Sequence, residues 1–118
     1  MNSVIVVIED LFFLAKVQHT AQQAGIEMET VALDKLRERL RRPPARGVIV
    51  DLNHKSGNAV DAILDLKSDA ESVQVLGFLS HVQGDLARDA REAGCDFVLA
   101  RSAFSQDLSS WLTKLASL

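Results

Sequence analysis

The chain has 118 residues, 47% of them hydrophobic and 25% charged, which excludes a disordered tract and is the length of one domain with one core. A net charge of −3 argues against nucleic acid or an anionic membrane surface as the main partner, since both are usually met with a basic excess. Cys95 is the only cysteine, so no internal disulfide can form and a reducing, cytoplasmic setting is the expectation.

Residues 1–8 are followed directly by Glu9 and Asp10 and carry no basic leader, so they read neither as an export signal nor as a membrane span. Val4 to Ile8 is instead an unbroken β-branched run, the pattern of a strand buried on both faces of a parallel sheet. Leu11, Leu14, Val17, Ala21 and Ala24 then recur at helical spacing, and Gly25 stops that helix. A weaker strand, Glu27 to Val31, precedes Asp34, the expected N-cap of a charged helix through Arg42 that Pro43 and Pro44 end. The basic residues Arg37, Arg39, Arg41, Arg42 and Arg46 read as its solvated face. Gly47 to Asp51 is the third strand, and Val60, Ile63 and Leu64 mark the third helix. Gln74 to Leu79 is a strand, Val82, Leu86, Ala90 and Ala93 mark a helix that Gly94 closes, and Phe97 to Ala100 is the fifth strand. One final helix carries Leu108, Trp111, Leu112 and Leu115.

Strands alternating with helices require right-handed crossovers and a parallel sheet. The fold class is therefore α/β: a flavodoxin-like, doubly wound five-stranded sheet of order 2-1-3-4-5 with helices on both faces, spanning residues 1–118 as one domain. In such a sheet the site lies beyond the carboxyl ends of the strands where the order reverses, here between the first and third. Those strands end in Glu9-Asp10 and in Asp51, so three carboxylates are expected to converge. Their charge needs neutralising, by protonation of one acid or by a hard cation such as magnesium on Glu9, Asp10, Asp51 and the backbone carbonyl of Asn53. An aspartate beside such a cation can attack phosphorus and become an aspartyl phosphate. The competing reading is that these acids merely end strands and cap helices.

Taken together, the acidic pair Glu9-Asp10, Asp51 in Val-Ile-Val-Asp-Leu-Asn, Ser80 after the fourth strand and the passage Ala90 to Leu99 resemble the receiver domain of bacterial two-component response regulators, along essentially the whole chain. The resemblance implies a phosphorelay protein, not an enzyme, whose Asp51 is the phosphoacceptor for a histidine kinase or phosphotransfer protein. It further implies that Ser80 bonds the phosphate and that a downstream protein partner, or a second copy in a homodimer, reads the change. Several positions depart from the family pattern. Its lysine and following proline after the fifth strand correspond to Arg101-Ser102, its aromatic switch residue to Val98, and the loop after the acceptor reads His54-Lys55-Ser56-Gly57. Arginine keeps the charge in a larger, planar group. These departures leave an alternative: a pseudo-receiver acting as a phosphorylation-independent protein-interaction module.

A nucleotide or flavin site would want a glycine-rich turn after the first strand, where Leu11-Phe12-Phe13 stands instead. His19, His54 and His81 are too scattered for a metal triad, though His54 and His81 fall on loops near the crevice. Cys95 reads as a small buried hydrophobe, and of Phe12 and Phe13 one is expected to cover the site and the other to face solvent.

Overall fold

Every central strand of the chain carries apolar residues at successive positions, and the computed structural model shows why both faces need them. The structure describes residues 3–41, 46–54, 57–69, 72–80 and 84–117. The strands β1 (Val4–Val7), β2 (Met28–Thr30), β3 (Gly47–Asp51), β4 (Gln74–Leu79) and β5 (Phe97–Ala100) form one sheet of order β2-β1-β3-β4-β5. All four pairings are parallel; Val4 lies beside Gly47, Asp51 beside Phe78, and Leu79 beside Ala100. This is the doubly wound, flavodoxin-like sheet expected from the sequence.

Because successive side chains of a strand point to opposite faces, the sheet has two cores. Ile5, Val7, Val48, Val50 and Val75 face one layer, which contains Leu36, Ile63, Leu66 and Ala90. That layer is built from a 3-10 turn (Leu33–Lys35), α2 (Leu36–Leu40), α3 (Ala59–Asp69) and α4 (Gly84–Glu92). Val4, Val6, Ile49, Leu76 and Phe78 face the other, with Phe13, Val17 and Ala21 of α1 (Leu11–Gln23). It is completed by Phe104 of α5 (Arg101–Gln106) and Leu108, Leu112 and Leu115 of α6 (Leu108–Ala116). Each fully buried side chain of this kind is worth ~1.5–3 kcal/mol, so neither face of the sheet could be left uncovered.

The helix starts and stops correct several expectations. Asp34 is not an N-cap: it sits inside the 3-10 turn, whose capping position is Ala32, and α2 runs only from Leu36 to Leu40. Arg42, Pro43 and Pro44 lie outside the described residues. The second strand is shorter than Glu27 to Val31: Met28, Glu29 and Thr30 pair with Val4, Ile5 and Val6, and Glu27 and Val31 reach β1 only by one backbone hydrogen bond each. The final helix marked by Leu108, Trp111, Leu112 and Leu115 is α6, and a short helix not expected from the sequence, α5, precedes it, the two being separated at Asp107 (φ −119°, ψ 33°). In α1 the Asp10 cap turns Leu11 outward and Phe13 inward, so Phe13, Val17 and Ala21 form the buried stripe while Leu11 is exposed. Leu64 in α3 is likewise exposed rather than core. Gly25 and Gly94 follow their helices at φ +69° and +112°, conformations that cost a side-chain-bearing residue energy.

Of the basic cluster, Arg37, Arg41 and Arg46 are exposed, as expected of a solvated face, whereas Arg39 is buried. Arg37 and Arg41 both meet Asp69, and Arg39, itself buried, donates to Glu29. Cys95 is buried, and burial pushes its thiol up to about 11, so it is an unreactive core residue. Among the described residues, no helix is long and apolar enough to cross a membrane.

Candidate functional site

The chain leaves β1 at Val7 and β3 at Asp51, neighbours in the sheet, and the residues that follow both strands turn over its carboxyl edge. Asp51 is half-buried. Its Oδ1 accepts the backbone N–H of Asn53 at 2.9 Å, a two-residue side-chain turn that fixes the carboxylate to its own loop. Burial pushes the Asp51 carboxyl above the ordinary carboxylate value, against the Asn53 amide and the positive charge of Arg101, which both favour the anion.

Asp10 does two things. Its Oδ1 accepts the N–H groups of Phe12 and Phe13 at 3.0 and 3.2 Å and so caps α1. Its Oδ2 receives Nη2 of Arg101, the first residue of α5. Arg101 first, and the amides of α1 after it, hold the Asp10 carboxyl below its ordinary value. The two readings drawn from the sequence, a helix cap and a charged site, therefore meet in one side chain.

Arg101 is held from a second side. Its guanidinium carbon lies 4.3 Å from the centroid of the Phe13 ring, a stacking that a planar cation makes and an ammonium makes less well. Phe13 packs on Phe78 and Phe104 at 5.2 and 6.0 Å between ring centroids, and those two stack at 5.5 Å. Phe13 thus floors the site from below, whereas Phe12 faces solvent at 91% exposure, which resolves the expectation that the pair divides these roles.

Glu9 stands close enough to Asp51 for its charge to raise that carboxyl further, and it has a contact of its own. Its Oε1 stands 3.5 Å from Nδ1 of His54, whose side chain is only 6% exposed, an ion pair whenever the imidazole is protonated. That partnership is not readable from the sequence, where the only signal is that His54 falls three residues after Asp51. Ser80 follows β4 and is exposed; its N–H donates to Oδ1 of Asn53 at 2.8 Å, tying the β3 and β4 loops together. His81, Lys55 and Ser56 lie outside the described residues.

The structure thus gathers Asp10, Asp51, Asn53, Ser80 and Arg101 at one edge, with Glu9 and its His54 contact beside Asp51. A cavity of about 800 Å³ opens next to it, lined by Glu9, His54, Val31, Leu33 and Asp61, without reaching Asp10, Asp51 or Arg101. As a magnesium site the acids do not fit as they stand. Both oxygens of Asp10 are engaged by protein donors.

No protein-family model and no curated protein matches the chain. Solved structures do. A response regulator receiver domain protein (CheY-like) from Methanospirillum hungatei JF-1 is similar at a TM-score of 0.86 and 11% identity, over 99% of this chain and 94% of that one. The chemotaxis response regulator CheY4 of Vibrio cholerae is similar at 0.82 and 19%, over 98% of both chains. The beryllofluoride-activated NtrC4 receiver domain dimer is similar at 0.78 and 16%, over 98% of this chain and 99% of that one. With its sheet order, its helices on both faces and its acidic carboxyl edge, the chain has the fold of the response regulator receiver domains.

Proposed function

We propose that the chain is the receiver element of a two-component phosphorelay, in which Asp51 takes a phosphoryl group from a histidine kinase or a phosphotransfer protein. The observation that supports it is the half-buried Asp51 at the carboxyl end of β3, with Arg101 on the adjoining acid and Ser80 at the end of the next strand. In the transfer, an Asp51 carboxylate oxygen attacks phosphorus. The new P–O bond forms as the P–N bond to the donor's imidazole breaks, and the departing nitrogen keeps the electron pair and takes a proton from solvent. The Ser80 hydroxyl and the Arg101 cation then face the charge on the phosphoryl oxygens. The domain accepts and presents this group, and is not an enzyme turning over a separate substrate. The added charge biases a surface that a downstream protein partner or a second copy of the chain reads. Magnesium on Glu9, Asp10, Asp51 and the Asn53 carbonyl, the cation expected from the sequence, has to compete with Arg101 for Asp10.

The test is incubation with phosphoramidate followed by peptide mass mapping. Modification of Asp51, absent in Asp51→Asn, is the expected result; an unmodified protein under every ionic condition sinks the reading. The Arg101–Asp10 pair favours a second reading, a phosphorylation-independent protein-interaction module, because it balances the acidic edge without any added group. That reading requires partner binding that Asp51→Asn leaves unchanged.

A further inference from the structure

We propose that the Arg101 guanidinium is the resident cation of the Asp10–Asp51 crevice, standing where a divalent ion would be needed and keeping that ion out. The inference rests on the receiver reading only in taking this crevice as the functional site.

Three observations carry it. Asp10 is already committed on both carboxylate oxygens. Its Oδ1 is fixed by the Phe12 and Phe13 amides, and its Oδ2 by Arg101, so a divalent ion gains Asp10 only by expelling the guanidinium or uncapping α1. Arg101 is not a loosely placed surface charge either. It opens α5 directly after β5, whose Ala100 is registered against Leu79, and its guanidinium rests 4.3 Å above Phe13, a buried ring wedged against Phe78 and Phe104. Finally, Glu9, the other acid of the pair, faces His54 at 3.5 Å.

A guanidinium already paired with Oδ2 of Asp10 repels a second cation at the same carboxylate, so a divalent ion there must displace it or stand beside a like charge. Magnesium is a poor challenger, because it sheds water reluctantly and demands near-octahedral geometry. A lysine at this position would be a weaker occupant: its ammonium has no plane to lay on Phe13 and swings on a flexible stem. The charge of arginine therefore sets up the competition with the metal, and its size and shape strengthen it.

The experiment is a magnesium titration of the whole chain followed by amide NMR, on wild type, Arg101→Ser and Arg101→Lys. Wild type is expected to show no saturable shifts at Glu9, Asp10 and Asp51 at millimolar magnesium, while Arg101→Ser binds at least about tenfold tighter, with Arg101→Lys between them. Arg101→Lys keeps the charge, so it serves if the serine variant loses its dispersed spectrum. Saturable wild-type shifts at those residues, or variants that bind no tighter than wild type, overturn the proposal. Phosphoramidate modification with magnesium and with EDTA separates it from the receiver reading. Equal wild-type modification in both supports the proposal, and modification only with magnesium overturns it while leaving Asp51 an acceptor. If wild type is modified in neither, yet Arg101→Ser gains magnesium, the receiver reading falls and the assignment of Arg101 stands.

Discussion

Asp10 and Asp51 sit on the same edge of the sheet and titrate in opposite senses, because one is held by donors and the other by its burial. Asp51 has its folded value raised, so its contribution to stability is fully present below the ordinary carboxylate range and is lost as pH rises through the folded value. At neutral pH its charge is therefore a burden, and Asp51→Asn, which retains an oxygen for the Asn53 amide, should raise the melting temperature by a few degrees, roughly 2–4 °C. Asp10 has its value lowered, so its contribution is present above the ordinary range and is lost as pH falls through the depressed value. Asp10→Asn should accordingly lower the neutral-pH melting temperature. Thermal melts from pH 7 down to pH 3 check both: the gain and the loss should each shrink toward acid, and a gain for Asp51→Asn that persists unchanged at pH 3 would show that charge burial is not its cause.

At the scale of elements, the aromatic group formed by Phe13 of α1, Phe78 of β4 and Phe104 of α5 couples the site to the fold. Phe104 is fully buried, and its ring lies between the helix that begins with Arg101 and the ring on which Arg101 rests. Phe104→Ala should cost about 3–5 kcal/mol in chemical denaturation, the usual penalty for emptying an aromatic core position. A cost below about 1 kcal/mol would mean that the two helices close the gap and that the stack is not what positions Phe13.

The same element scale separates what the sequence could and could not disclose. The bounds of β3 and β4 coincide with apolar runs because burial on both faces removes any alternation that would blur them, and the part-buried edge strand β5 is apolar throughout as well. The convergence of Glu9-Asp10 with Asp51 follows from strand order alone, which is why it was legible. The break between α5 and α6 was not, since Asp107 carries no glycine or proline signal. Nor were the His54–Glu9 contact and the stacking of Arg101 on Phe13, because both depend on side-chain directions across segments distant in sequence. Leu11 misled for a related reason: helical spacing gives the period of the stripe, while the Asp10 cap sets its phase.

For the whole molecule, the order β2-β1-β3-β4-β5 predicts a gradient of stability across the sheet. β1, β3 and β4 have hydrogen-bonded neighbours on both sides and are buried almost throughout. β2 is a three-residue edge strand, part-exposed, with the short α2 behind it, and β5 is an edge strand whose residues are all only partly buried. Opening an edge releases one ladder of hydrogen bonds and little apolar surface, whereas opening β3 exposes both cores at once. Native-state hydrogen exchange should therefore find the amides of β1, β3 and β4 exchanging only through global unfolding. Those of β2 and α2 should exchange through smaller local openings, with β5 between the two sets. Because Arg101 and Ser80 stand at the ends of β5 and β4 while Asp51 ends β3, the site would then span a boundary between a rigid strand and a softer one. Equal protection in β5 and β3 would remove that boundary, and with it the expectation that a group added at Asp51 is felt first at the β5 side.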